Sequence, residues 1–135
     1  MSWTLFWDMH SGGGCKEDWA EIYIEAPEEE AKVIFYNRFG HNPERVSCTC
    51  CGSDYSISEE KSLRQLSGYH RNCAYDSEKG KYIEKPDKRY NRDARLIPLA
   101  EYEKQDHVLV IRANEIKPEE REGDVPRQGY VWVEE

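Results

Sequence analysis

The residues of this 135-residue chain that could do chemistry concentrate between Cys48 and Cys73, where four of its five cysteines and one histidine share a short polar segment. Cys48 and Cys51 are separated by two residues and followed by Gly52, which suits a tight turn presenting two thiolates to one metal. His70 and Cys73 repeat that spacing. The eighteen residues between the pairs, Gly52 to Tyr69, fall close to the separations usual for zinc sites. The segment is therefore expected to bind Zn2+ through Cys48, Cys51, His70 and Cys73, with Cys50 and His10 as reserve ligands for the fourth position. Four protein ligands would close the coordination sphere, so the expected role is structural, holding together a region with little apolar sequence of its own. A catalytic zinc would leave one position to water beside a general base such as Glu59, Glu60 or His10, but neither HExxH nor HxE with PCxxC is present. Free thiols are the plain alternative, made unattractive by three cysteines within four residues. Cys15 stands apart and reads as a small buried or half-exposed residue. No nucleophilic triad can be argued beyond the presence of its residue types, and the chain is read as non-enzymatic.

The elements that would position this segment follow from periodicity. Trp3 to Met9 is rich in aromatic and branched residues and reads as a strand that breaks at His10-Ser11-Gly12-Gly13-Gly14. The glycine run lacks the Gly-Lys-Ser/Thr that a phosphate-binding loop needs. Ala20 to Ala26 alternates, with Ala20, Ile22, Ile24 and Ala26 on one side and Glu21, Tyr23 and Glu25 on the other, which predicts a half-buried strand. Pro27 opens the main helix, from about Glu28 to Phe39: Glu28, Glu29 and Glu30 complement the macrodipole, and Arg38 and Gly40 mark its end. Ala31, Ile34, Phe35 and Phe39 form its core face. Val46 to Ile57 is expected to be a hairpin around the metal turn. A short helix from Ser58-Glu59-Glu60, burying Leu63 and Leu66, would carry His70 and Cys73 back to it. Ala74 to Arg95 reads as a solvated, partly mobile loop with a brief strand at Tyr82-Ile83. Leu96 to Gln105 reads as irregular or as a short helix entered at Pro98. His107 to Ala113 looks like an interior strand and Gly129 to Glu134 a last one, joined by a charged turn. The expected architecture is one α+β domain spanning 1–135: a mixed or mainly antiparallel sheet, one main helix, and a zinc-bound insertion at about 46–75.

Composition bounds the function. A formal net charge of −8 and a pI near 5.1 argue against a general binder of nucleic acid or anionic membrane, whose phosphate contacts need clustered Lys and Arg, and favour a basic partner. Lys79 to Arg95 interleaves basic residues with Tyr82 and Tyr90, a pattern suited to single-stranded nucleic acid, but Glu84, Asp87 and Asp93 dilute it. No secretory signal and no apolar stretch near the roughly 20 residues needed to cross a bilayer is visible, and the odd cysteine count favours a reducing cytoplasm. Asp18, Glu21, Glu25, Glu28, Glu29 and Glu30 lie close in sequence and could dock against a basic groove that normally holds nucleic acid.

Three stretches, WDMHSGGG at Trp7 to Gly14, RFGHNPERVSCTCCGSDYSISE at Arg38 to Glu59 and IRANEIKPEEREGDVPRQGYVWVE at Ile111 to Glu134, together resemble small proteins encoded by bacteriophages and prophages. The likeness covers most of the chain, and the CTCCG block is its most specific part. A subset is similar to zinc-containing anti-CRISPR proteins directed against the type II RNA-guided nuclease. That resemblance implies a non-enzymatic inhibitor that binds the nuclease and prevents target DNA from loading, with no direct nucleic-acid binding. Cys48, Cys51 and Cys73 would be metal ligands, and acidic surface residues would meet the nuclease's positively charged channel. The alternative is a zinc-stabilised phage accessory protein that binds another host protein or nucleic acid.

Overall fold

The aromatic run near the N-terminus forms the centre of the sheet. In the computed structural model, which describes residues 2–8, 19–44 and 55–126, strand β1 (Trp3–Asp8) pairs antiparallel with β2 (Glu21–Ile24) on one side and with β3 (Tyr55–Glu60) on the other. The fourth strand, β6 (Val108–Ile111), lies parallel to β2, which gives the order β3-β1-β2-β6. A separate two-stranded hairpin is built from β4 (Cys73–Asp76) and β5 (Lys81–Pro86). Helices α1 (Glu28–Phe39), α2 (Leu63–Leu66) and α3 (Leu99–Tyr102) complete an α+β fold with a mixed sheet.

Side chains alternate across the sheet, and both faces are covered. Phe6, Ile22, Ile24, Tyr55 and Ile111 pack with Ala31, Ile34 and Phe35 of α1. Trp3, Leu5, Tyr23 and Val108 pack on the opposite face with Leu63 and Leu66 of α2 and Tyr102 of α3. Helix α1 begins after Pro27 and ends at Gly40, whose φ of 81° and N–H bond to the Tyr36 carbonyl close the helix in a left-handed turn that a side chain would strain. Arg38 then forks onto Glu120, Nε to Oε2 at 2.9 Å and Nη2 to Oε1 at 3.0 Å, tying the 3-10 turn Pro118–Arg121 to the helix.

Three expectations change. The strand at Ala20 to Ala26 is buried on both faces, Tyr23 and Glu21 included, because a second layer covers the side predicted to face water. Val108–Ile111 forms a strand as expected, apolar on both sides and paired with β2 among the described residues. Ser58-Glu59-Glu60 continues β3 instead of starting a helix; Ser62 is the cap, its Oγ accepting from the Gln65 N–H at 3.1 Å. The Ala74 to Arg95 loop is largely a hairpin. Asp76 Oδ1 accepts from the N–H groups of Glu78 and Lys79, and Gly80 supplies the positive φ that closes the turn. The predicted hairpin around the metal turn is described only from Tyr55 onward, and the strand at Gly129 to Glu134 lies outside the described residues.

Candidate functional site

A buried carboxylate organises the face of the sheet opposite α1. Glu21 is the first residue of β2 and only 6% exposed. Its Oε1 lies 2.6 Å from Nδ1 of His70, on the turn after α2, and its Oε2 lies 3.2 Å from Nε2 of His107, just before β6. The Tyr102 hydroxyl donates to Oε2 at 2.6 Å, and the Tyr23 hydroxyl lies 3.1 Å from that of Tyr102. Burial alone would raise the pKa of this carboxyl. The hydrogen bonds from His70 and Tyr102, with the electrostatic attraction of the His70 and His107 rings, more than offset it, and Glu21 lies below the ordinary carboxylate value. Burial, the neighbouring Tyr23 and the bond to Glu21 push the Tyr102 hydroxyl far upward, so it stays a neutral donor.

An ionised carboxylate only accepts, so Nδ1 of His70 carries the proton. The ring is held edge-on by Trp7 at 4.9 Å and Tyr69 at 5.2 Å between centroids. His70 borders two clefts. The smaller, about 230 Å3, lies against β1 and β3 and includes Trp7, Ser58 and Glu60. The larger, about 500 Å3, lies between the β4–β5 hairpin and the segment 87–94, and Cys73 lines it too.

Buried Arg71 latches that segment in place. Its Nε donates to the Ile97 carbonyl at 2.9 Å, and its own carbonyl accepts from the Ile97 N–H at 2.9 Å. Beside it, Asn72 Nδ2 donates to the Arg95 carbonyl, and the Asn72 carbonyl accepts from the Asp87 N–H.

Of the predicted metal ligands, His70 and Cys73 are brought to one cleft, whereas Cys48, Cys51, Cys50 and His10 lie outside the described residues. Among the described residues no group of three or more His, Cys, Asp or Glu side chains could hold a metal. His70 and Cys73 could supply two ligands. The Cys73 thiol is buried, which pushes its pKa up, while the Arg71 and Arg64 charges pull the other way. The predicted acidic patch is divided. Asp18 lies outside the described residues, and Glu21 is buried instead of exposed because two imidazoles and a phenol hold its carboxylate. Glu25 is half-buried and accepts from the Ala113 N–H at 2.9 Å, and Glu30 pairs with Arg121. Glu28 and Glu29 remain at the surface beside Lys32. Sequence reasoning missed His107, Tyr102, Trp7 and Arg71. The only local signal was Glu21 itself, a carboxylate on a strand whose other residues are apolar or aromatic.

No family model matches the chain, and neither a curated protein nor a solved structure matches it. No described helix is long and apolar enough to cross a membrane.

Proposed function

We propose that the chain is a non-enzymatic inhibitor of the anti-CRISPR kind, which docks on a type II RNA-guided nuclease and blocks target DNA loading, with a structural zinc clasping the segment at about 46–75. The observation that supports a docking role is an acidic ridge. Glu59 of β3 accepts the Glu28 N–H, which sets the strand's exposed Glu59 beside Glu28 and Glu29 in the first turn of α1. Glu44 joins them through Lys32, whose ammonium lies 2.9 Å from Glu44, 3.3 Å from Glu29 and 3.5 Å from Glu28. One lysine shared among three carboxylates leaves the ridge negative, the sign needed to meet a channel built for a phosphate backbone.

The donor chemistry of His70 suits the zinc. Histidines that bind metal through one ring nitrogen usually donate from the other to a carboxylate, as His70 Nδ1 does to Glu21. A zinc would be held by His70 Nε2 and the Cys73 thiolate, with Cys48 and Cys51 completing the set. Bound there it would supply a cross-link between segments distant in sequence. Co-elution with the nuclease, and loss of DNA binding or cleavage at equimolar inhibitor, is the expected result. The double variant Glu29→Lys with Glu44→Lys should associate more slowly, most clearly at low salt. Undiminished cleavage at an equimolar ratio would end this reading.

A further inference from the structure

We propose that the larger cleft is a binding site for single-stranded nucleic acid, with bases stacked on its tyrosines and phosphates met by the adjoining basic rim. Three large apolar or aromatic side chains stand exposed among the described residues: Tyr69 at 62%, Tyr75 at 45% and Tyr90 at 90%. All three line this one cleft, of about 500 Å3. They come from the turn after α2, from β4 and from the segment after β5, so the fold gathers them from three places. Tyr75 is held by Tyr82, its cross-strand partner, edge to face at 5.1 Å between centroids. The Arg71 and Asn72 bonds pin the wall that carries Tyr90. Exposed rings on an anchored frame are the platform that an unpaired base stacks on.

Charge selects the occupant. Residues 79–95 hold seven Lys and Arg against three Asp and Glu, in a chain whose net charge is −8. Two of the three carboxylates are already engaged: Asp87 with Arg89 at 3.0 Å, and Glu84 with Arg64 and Arg71. Lys79, Lys81, Lys85, Lys88, Arg92 and Arg95 pair with no carboxylate among the described residues. Lys88, Arg92 and Arg95, three cations against the single carboxylate Asp93, line a shallow depression that shares Ala94 with the cleft and place net positive charge next to the stacking rings. Asn72 Oδ1 and Asn91 Nδ2, left over by the bonds of Asn72 Nδ2 to the Arg95 carbonyl and of Asn91 Oδ1 to the Asp93 N–H, add groups that can meet base edges. The acidic average that argued against nucleic acid conceals this separation of charge. A duplex keeps its bases stacked on one another and cannot present one to these rings, so the strand must be single.

The site is tested by fluorescence anisotropy of a labelled oligothymidylate of about ten nucleotides with the full chain, at about 50 and about 200 mM salt. Binding is expected at the lower salt and should weaken steeply at the higher. Tyr90→Ala, at a position too exposed to affect folding, and Tyr69→Ala should each weaken it about five-fold or more. Lys88→Glu with Arg92→Glu should weaken binding and flatten its salt dependence, whereas Lys104→Glu, away from the cleft, should not. No binding at the lower salt, equal affinity for duplex, or unchanged affinity in both Tyr90→Ala and Tyr69→Ala would overturn the proposal. A cleft that takes a peptide segment instead gives the first of these results. Nuclease inhibition is read in a separate assay, so either idea can fail while the other stands.

Discussion

Glu21 shows how one residue changes meaning between a sequence and a fold. A glutamate alternating with apolar residues reads as the wet side of a strand, yet here it is the acceptor at the centre of two imidazoles and a phenol. Glu21→Gln preserves shape but replaces an acceptor with an amide donor facing N–H and O–H groups. We expect it to cost about 3 kcal/mol in urea denaturation, while Tyr102→Phe, which removes one hydroxyl, costs about 1 kcal/mol. If the glutamine variant keeps the wild-type midpoint, the network does not stabilise the fold. Glu120 supplies a pH dependence of known sign. The Arg38 guanidinium holds its carboxyl at about 2, below the ordinary 4.5. Its contribution is therefore complete above pH 4.5, declines as pH falls towards 2 and is absent below that. The stability difference between wild type and Glu120→Gln should shrink over that interval; a difference that is constant from neutral pH to pH 3 would contradict the pairing.

Among the elements, the hairpin and the turn beneath it depend on one close approach. A Cβ built on Gly68 would lie 2.5 Å from the Tyr82 Cβ and 2.6 Å from its Cγ, both too near the backbone of β5 to swing aside. Gly68→Ala is expected to destabilise by roughly 1–3 kcal/mol through overpacking, and to shift the near-ultraviolet circular dichroism as Tyr82 is displaced from Tyr75. An unperturbed spectrum would show that the hairpin does not rest on that turn. Nothing near Gly68 in the sequence points to its packing partner fourteen positions on. Helix α1, by contrast, was legible at both boundaries, because its proline, its three glutamates and its terminal glycine act within a few residues of themselves.

At the scale of the whole molecule, the chain separates its charge, with an acidic ridge at the start of α1 and a basic, tyrosine-bearing surface beyond the hairpin. The proposed zinc would join the turn carrying His70 and Cys73 to the segment with Cys48 and Cys51. We expect about one zinc per chain in protein purified without added metal, and a large fall in melting temperature with chelator or with Cys51→Ala. Metal analysis that finds none in a stably folded sample would remove the clasp from the reading.

What the sequence determined by itself was local: the strand at Trp3, the limits of α1, and the buried pair Leu63 and Leu66. Each rests on periodicity or a terminal signal carried by neighbouring residues. Tertiary structure alone decided that the sheet is covered on both faces, which turned Glu21 and Tyr23 inward. It alone brought His70, His107 and Tyr102 to one carboxylate, and Tyr69, Tyr75 and Tyr90 to one cleft. Burial and pairing across such separations depend on which layers meet, and no local pattern encodes that.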